Sequence, residues 1–433
     1  MRPWPALLLA VGLAGCGSSV PPAAEPAGQE TVAEQPVAEQ PPAEPAAANA
    51  DWFLDLLART TELPAERQIA APDGSFRARV AAEPGTLEQV EDGWYLPLSI
   101  GTEQPVECWV YTEGADLASS LAAISDTMLD HTAEQLGGEI EARQIHRLDA
   151  GAFGGNAWIA LEWLYRLAAE GGAQAGQVKH LALDVSGGAV YCLHNETGYR
   201  EAFTTVARGL AESLELAAAP AEPFYEEVFV IRIAEQPVGF TRYRFVRDAA
   251  GDVEITDTTA LLIPTDRQTV QASDSIDLEW STPDGRMIHA VAVDVEQGEV
   301  VTELHLDPSE DEDGVWVVSG SHEGEEIDAT FEAADLRTTL GEMLALRRLL
   351  ESGGETATFR SWTTGGDPTQ PVTYDFELLQ GGAAPGTRRV QVQGGPMTLE
   401  GDVEPSGSFR EMKAGMGPAG FEAERVYQAG RVP

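Results

Sequence analysis

From residue 225 onward the chain is written in short β-prone runs, and this pattern most limits what it can fold into. The runs span 225–233, 239–247, 253–262, 269–272, 275–281, 287–293, 299–306, 314–320 and 325–331. Turn residues cut between them, as in Asp248-Ala249-Ala250-Gly251-Asp252, Thr282-Pro283-Asp284-Gly285 and Glu296-Gln297-Gly298. Tight turns join antiparallel neighbours. One helical stripe interrupts the series, with Leu336, Leu340, Met343 or Leu344, and Leu350 near one face. Further runs follow at 356–362, 372–379, 388–393 and 407–413. Many antiparallel strands and one helix predict a large curved sheet or open barrel wrapped on that helix.

Residues 51–218 read differently. Asp51 is placed to cap a short amphipathic helix over 51–57. A strand at 75–80 precedes a hairpin, 94–100 with 106–111, turned by Gly101-Thr102-Glu103-Gln104-Pro105. Leu117, Leu121, Ile124 and Met128 share a helical face; Phe203, Val206, Leu210 and Leu214 share another. Strands at 140–148, 157–167, 178–185 and 189–194 lie between. A Pro/Ala/Glu break at 217–223 ends this part. The expected class is α+β: a small N-terminal α/β sandwich with an antiparallel sheet (51–218), then the large β-rich domain (222–433).

The N-terminus carries an address. Arg2 is followed by an apolar run over 6–13 and then Leu13-Ala14-Gly15-Cys16. This is an export signal with small residues at its cut. Its run is too short to span about 30 Å of hydrocarbon. Cys16 directly after Ala14 and Gly15 resembles the lipobox of bacterial lipoproteins. The resemblance implies removal of residues 1–15, a diacylated Cys16 thiol, and a membrane partner reached through that N-terminal lipid. In the enterobacterial form of the family an Asp after the cysteine favours the inner membrane. Gly17 and Ser18 stand there instead, which points to the outer membrane. The alternative is a cleaved signal or short anchor with a chance cysteine. Residues 16–50 are a tether of Pro, Ala, Gln and Glu with no aromatic, Lys or Arg. Such a stretch cannot bury enough apolar surface to offset its ordering entropy. At about 3.1 Å per residue it reaches up to roughly 100 Å, as a spacer or as a generic linker.

Charge excludes one partner class. The chain has 27 basic against 71 acidic residues, a net charge of −44. Phosphate backbones repel such a surface, so nucleic acid is excluded. A solvated acidic surface accounts for the charge, and basic partners or cations stay open. Of three cysteines, lipidation of Cys16 leaves Cys108 and Cys192, each in a strand-like run. An envelope location favours their pairing over two buried free thiols.

Catalytic and metal motifs are missing, and no cofactor is expected. His131, His146, His180, His194, His289, His305 and His322 show no zinc-ligand spacing. There is no Gly-x-Ser-x-Gly elbow, Walker loop or dinucleotide fingerprint. Ser321 and His322 are neighbours on a predicted strand and point to opposite faces. Ser309-Glu310-Asp311-Glu312-Asp313-Gly314 is similar to part of an EF-hand loop, but its twelfth position is Gly320 rather than Glu. It reads as an acidic hairpin tip.

The order hairpin, helix, meander, closing helix, with Cys192-Leu193-His194, Phe203, Val206 and Ser213-Leu214 at its end, resembles the PsbP-like fold. Members are often accessory or binding proteins. Pro237-Val238-Gly239-Phe240, Ser406-Gly407-Ser408-Phe409 and Gly415-Met416-Gly417 resemble β-rich envelope proteins, including accessory regions beside transglutaminase-like domains. The cupped architecture resembles LolA/LolB-like lipoprotein carriers, whose sheet holds acyl chains. No ligand-binding residue carries over from any of these. The expectation is a lipid-anchored, non-catalytic binding or scaffold module for an envelope protein or apolar ligand. The competing readings are a hydrolase with its site in the inter-domain cleft and a purely structural surface protein. In the carrier reading, the helix at Leu336 to Leu350 lines an apolar cavity with Met343 as an adaptable wall. In the plainer one, its stripe plugs the sheet.

Overall fold

The computed structural model describes residues 50–432, except 92, 113–123, 170–171, 218–220, 383, 396 and 416–419. Cys16, the signal, the tether, Leu117 and Leu121 lie outside the described residues. So does Met416.

The molecule is mostly β-structure, in large antiparallel sheets with few helices. Its first part holds α1 (Ala50–Leu57), β1 (Arg67–Ala70), β2 (Phe76–Val80), β3 (Glu83–Pro84), β4 (Glu88–Val90), β5 (Gly93–Ser99), β6 (Val106–Tyr111), α2 (Ile124–Leu136), β7 (Glu139–Phe153), β8 (Asn156–Ala169), β9 (Gly172–Val185), β10 (Gly188–His194), α3 (Arg200–Ser213) and β11 (Glu215–Leu216). Its second holds β12 (Tyr225–Ile233), β13 (Gln236–Arg247), β14 (Val253–Pro264), β15 (Val270–Ser281), β16 (Met287–Glu296), β17 (Glu299–Pro308), β18 (Val315–His322), β19 (Glu325–Glu332), α4 (Thr339–Ser352), β20 (Thr356–Ser361), β21 (Val372–Leu378), β22 (Arg388–Gly394), β23 (Met397–Val403), β24 (Phe409–Ala414) and β25 (Phe421–Gly430).

The first part makes a three-stranded sheet, β1-β2-β11, and an eight-stranded one in the order β3-β5-β6-β10-β9-β8-β7, with β4 also on β5. Cys108 and Cys192 are register partners across β6 and β10, with sulfurs at bonding distance. The second part is a single 14-stranded sheet, in which β12 through β19 run one way from the centre and β25 back to β20 the other. β12 and β25 pair at the junction, so the first and last strands of this part lie side by side.

Several local expectations change. Asp51 lies inside α1, which starts at Ala50, so it is not the cap. The runs 269–272 and 275–281 form one strand, because Ser273 and Asp274 are paired on both sides instead of turning. Leu336 precedes α4. It sits in an extended segment bridged to Arg360, and Thr338 caps the helix by accepting from the Gly341 amide at 3.4 Å. Leu340, Met343, Leu344, Leu346 and Leu349 are buried in one core with residues of β12, β14, β20, β21 and β24. Two turns press on the helix. A Cβ at Gly285 would lie 2.2 Å from the Gly341 Cα, and one at Gly407 would lie 1.9 Å from the Met343 carbonyl oxygen. Both glycines have positive φ, 86° and 89°, so glycine answers a conformational and a steric demand at once.

The outer face of β12 to β15 packs on the first part. Val228, Phe240, Ala260 and Leu262 share a core with Ile159, Leu161, Trp163 and Leu193. Within this contact Arg242, 2% exposed, meets Asp184 at 3.1 Å and Glu226 at 2.6 Å. Buried charges persist only when paired and hydrogen-bonded, so this group fixes how the two surfaces register.

Non-reducing mass mapping should recover Cys108 and Cys192 in one linked peptide pair. Replacing both by Ala should lower unfolding stability by up to about 4 kcal/mol, the chain-entropy value for so long a loop. Two free thiols in oxidised mature protein would contradict the pairing.

Candidate functional site

The first site lies between α3 and the sheet of the first part. Register sets Arg147 opposite Glu162, Asp149 opposite Ala160 and Gly151 opposite Trp158. Alternation therefore turns these side chains, with Phe153, to one face. Helix α3 lies over that face and encloses a cavity of about 220 Å³, to which it contributes Arg200, Phe203, Thr204 and Arg208. A shallower depression of about 470 Å³ continues along Arg200, Thr204 and Arg208 to Leu57, Ala58, Arg59 and Thr60.

The floor is aromatic. Phe153 and Trp158 stack with centroids 5.2 Å apart, and the Arg208 guanidinium lies 5.0 Å from the Phe153 centroid. A Cβ at residue 151 would come within 2.8 Å of the indole, so glycine there lets the ring lie across β7. Trp158 Nε1 is buried with no acceptor among the described residues. The walls are charged. Arg200 donates to both Glu162 oxygens at 2.5 Å, and Gln177 donates to Glu162 at 2.7 Å. Lys179, opposite Glu162, is fully buried and donates to the Glu196 carbonyl at 2.6 Å. Burial lowers its pKa to about 7, against the opposing pull of Glu162. Arg147 pairs with Asp149. Arg208 and Arg59 have no carboxylate partner among the described residues. Arg59, Arg147, Arg200 and Arg208 line the two depressions together with Asp149, Glu162 and Glu201, which leaves Arg208 and Arg59 as the guanidinium groups without a paired carboxylate among the described residues.

The second site is the inner face of the 14-stranded sheet. Glu227, Tyr243, Asp257 and Asp277 are successive cross-strand partners on β12, β13, β14 and β15. Glu279 follows on the same face of β15, Asp294 joins from β16, and Glu342 approaches from α4. Asp257 accepts from Thr241 at 2.7 Å, and Glu279 accepts from the Thr339 amide at 2.8 Å. Glu227 accepts from Tyr225 at 2.7 Å and faces Arg425 at 3.5 Å. Desolvation dominates these carboxyls. It raises Asp257 to about 8 and Glu227 and Glu279 to about 7. Asp277 and Glu342 are raised well above the usual range, by burial first and then by neighbouring carboxylates. The apolar residues of α4 are packed against the sheet, and Glu342 on the same helix lies within the field of Glu279 and Glu227.

The histidines stay apart. His131 lies 3.4 Å from Glu107, His289 stacks on Trp280, and His322 faces Thr302 at 3.3 Å. His180 and His194 are buried, and burial lowers each pKa to about 3. Among the described residues no three His, Cys, Asp or Glu side chains converge as metal ligands. Neither site was named from sequence. A signal for the first exists: Arg200, Thr204 and Arg208, at i, i+4 and i+8, share one face of α3. For the second it is Asp257 among Val253, Ile255, Thr259 and Leu261, a carboxylate on the apolar face of a strand.

No family model matches the chain, and no curated protein matches it. A solved structure similar to part of it is a β-barrel-like protein of domain of unknown function DUF1849 from Brucella abortus. The identity is 15%, the match covers 49% of this chain and 98% of that one, and the TM-score is 0.38.

Carboxyls whose folded pKa is raised stabilise the fold at low pH and lose that contribution as pH rises through the folded value. With Glu227 and Glu279 near 7 and Asp257 near 8, against about 4 in the unfolded chain, Tm should fall from about pH 5 to about pH 8 and level off above. Glu279→Gln should flatten the fall, since an amide oxygen can still accept from Thr339. A Tm that rises or stays level over this range would count against buried, protonated carboxyls.

Proposed function

We propose that this chain is a lipid-anchored, non-catalytic envelope protein whose α3 groove binds an apolar ligand bearing a carboxylate. Cys16 attaches it to the outer membrane more readily than the inner, and the tether carries its folded part away from the bilayer. The second part is read as an open barrel wrapped on α4. One observation carries the ligand reading: the Arg208–Phe153–Trp158 stack, with a free indole N–H, inside an arginine-rimmed cavity. Pockets of this kind bury an apolar body and orient it with a few placed polar groups. Guanidinium groups suit a planar carboxylate. The whole chain carries a net charge of −44, so anions are repelled from most of its surface and this groove is the place where one can settle.

The test uses the Cys16→Ser chain, which lacks the acylated thiol, and a fluorescent acyl carboxylate. Saturable binding is expected. Arg147→Ala with Arg208→Ala should weaken it at least about tenfold, about 1.4 kcal/mol. The methyl ester of the same probe should bind more weakly than the acid. Equal binding of acid and ester, or no effect of the arginine changes, would exclude the groove as an anion site.

A further inference from the structure

The groove makes no use of the carboxyls inside the 14-stranded sheet. Asp257 and Asp277 stand directly opposite, two polar groups withdrawn from water where an apolar pair would carry no desolvation cost. Packing alone therefore gives no reason for the row. Asp277 feels Asp257, Asp294 and Glu279, and Glu342 feels Glu279 and Glu227. The Tyr374 hydroxyl is buried without a hydrogen-bond partner among the described residues, and the Tyr243 hydroxyl and Asp257 Oδ2, on paired strands, have little but each other. Tyr243 and Tyr374 are 0% and 2% exposed. All three can accept a hydrogen bond. The guanidinium that does reach this interior, Arg425, is already held by Glu227 and, at 2.6 Å, by Glu404. Asp277 and Glu342 are less closed off than Glu227, Asp257 and Glu279.

We propose that this interior binds an extended organic cation with primary ammonium groups, an aliphatic diamine or polyamine. Ammonium groups bring only donors, which is what the unmatched oxygens lack. The carboxyls are spread over β12, β14, β15, β16 and α4 and do not converge as metal ligands, so spaced charges fit them better than a point ion. Tyr374 stacks with Phe359, and Phe359 with Phe376, with centroids 5.3 and 4.9 Å apart. These rings close that side of the interior in the same core as α4. Carboxyls that hold protons in the free chain give them up when an ammonium arrives, so binding releases protons.

The Cys16→Ser chain is titrated with spermidine by calorimetry at about 0.3 M salt, where attraction to surface charge is screened. One saturable site is expected, with a heat that changes with the ionisation enthalpy of the buffer. Glu342→Gln and Asp277→Asn should each weaken it at least tenfold. Each substitution mimics the neutral acid, and circular dichroism confirms the fold. Glu310→Gln at the acidic hairpin tip should leave it unchanged, and the acyl carboxylate probe should bind the groove as before. Three results would each overturn the proposal: non-saturable binding that salt removes, equal affinity in the folded Glu342→Gln chain, or saturable uptake of calcium but not spermidine.

Discussion

The pairing of β12 with β25 is the constraint on which the second part depends. It joins the two ends of this segment at the sheet centre and leaves β19 and β20 as its outer strands. Helix α4 then connects those outer strands. It touches both β15 and β20, which are nine strand spacings apart in the sheet order. Flat, that separation would be about 43 Å at about 4.8 Å per strand. A 14-residue helix is about 21 Å long. The sheet must therefore bend around α4, and bending gives it an inside. Every second residue of each strand is committed to that inside, carboxylates included.

Once such an interior exists, the protonation of its carboxyls follows from solvation. A carboxylate withdrawn from water needs a cation or several donors to stay charged. At the junction Asp184 and Glu226 meet that condition through Arg242. Inside the sheet Glu227 meets it in part through Arg425, and burial still prevails there. The groove under α3 is the converse case. Its arginines are partly exposed, and the charge of the chain around them is opposite in sign. The two sites thus differ in the sign of the charged groups that line them.

Much of the second part was legible because its apolar alternation and turn residues coincide with paired strands. β25 was not read, since Glu422, Glu424 and Arg425 interrupt its alternation and its partner lies some 200 residues away, as in the Arg425–Glu227 pair. The helix was legible as an apolar stripe. Its start was not, because Leu336 is buried in an extended segment that continues the same spacing. The cysteine pair could be anticipated from two strand contexts, but its register needs the sheet order. The sites were the least legible. Arg147, Trp158 and Arg208 come together only when β7, β8 and α3 pack, and Asp257 meets Asp277 only when β14 pairs with β15.

Desolvation should outweigh ionisation for the carboxyls inside the 14-stranded sheet and hold them neutral near pH 7. Infrared spectroscopy observes this directly, since the C=O stretch of a protonated carboxyl is separate from that of a carboxylate. At pH 7 the Cys16→Ser chain should show a protonated-carboxyl band that shifts on deuteration and weakens in Asp277→Asn and Glu342→Gln. A chain with no such band at pH 7 would have all its carboxyls ionised, and desolvation would not govern the interior of the sheet.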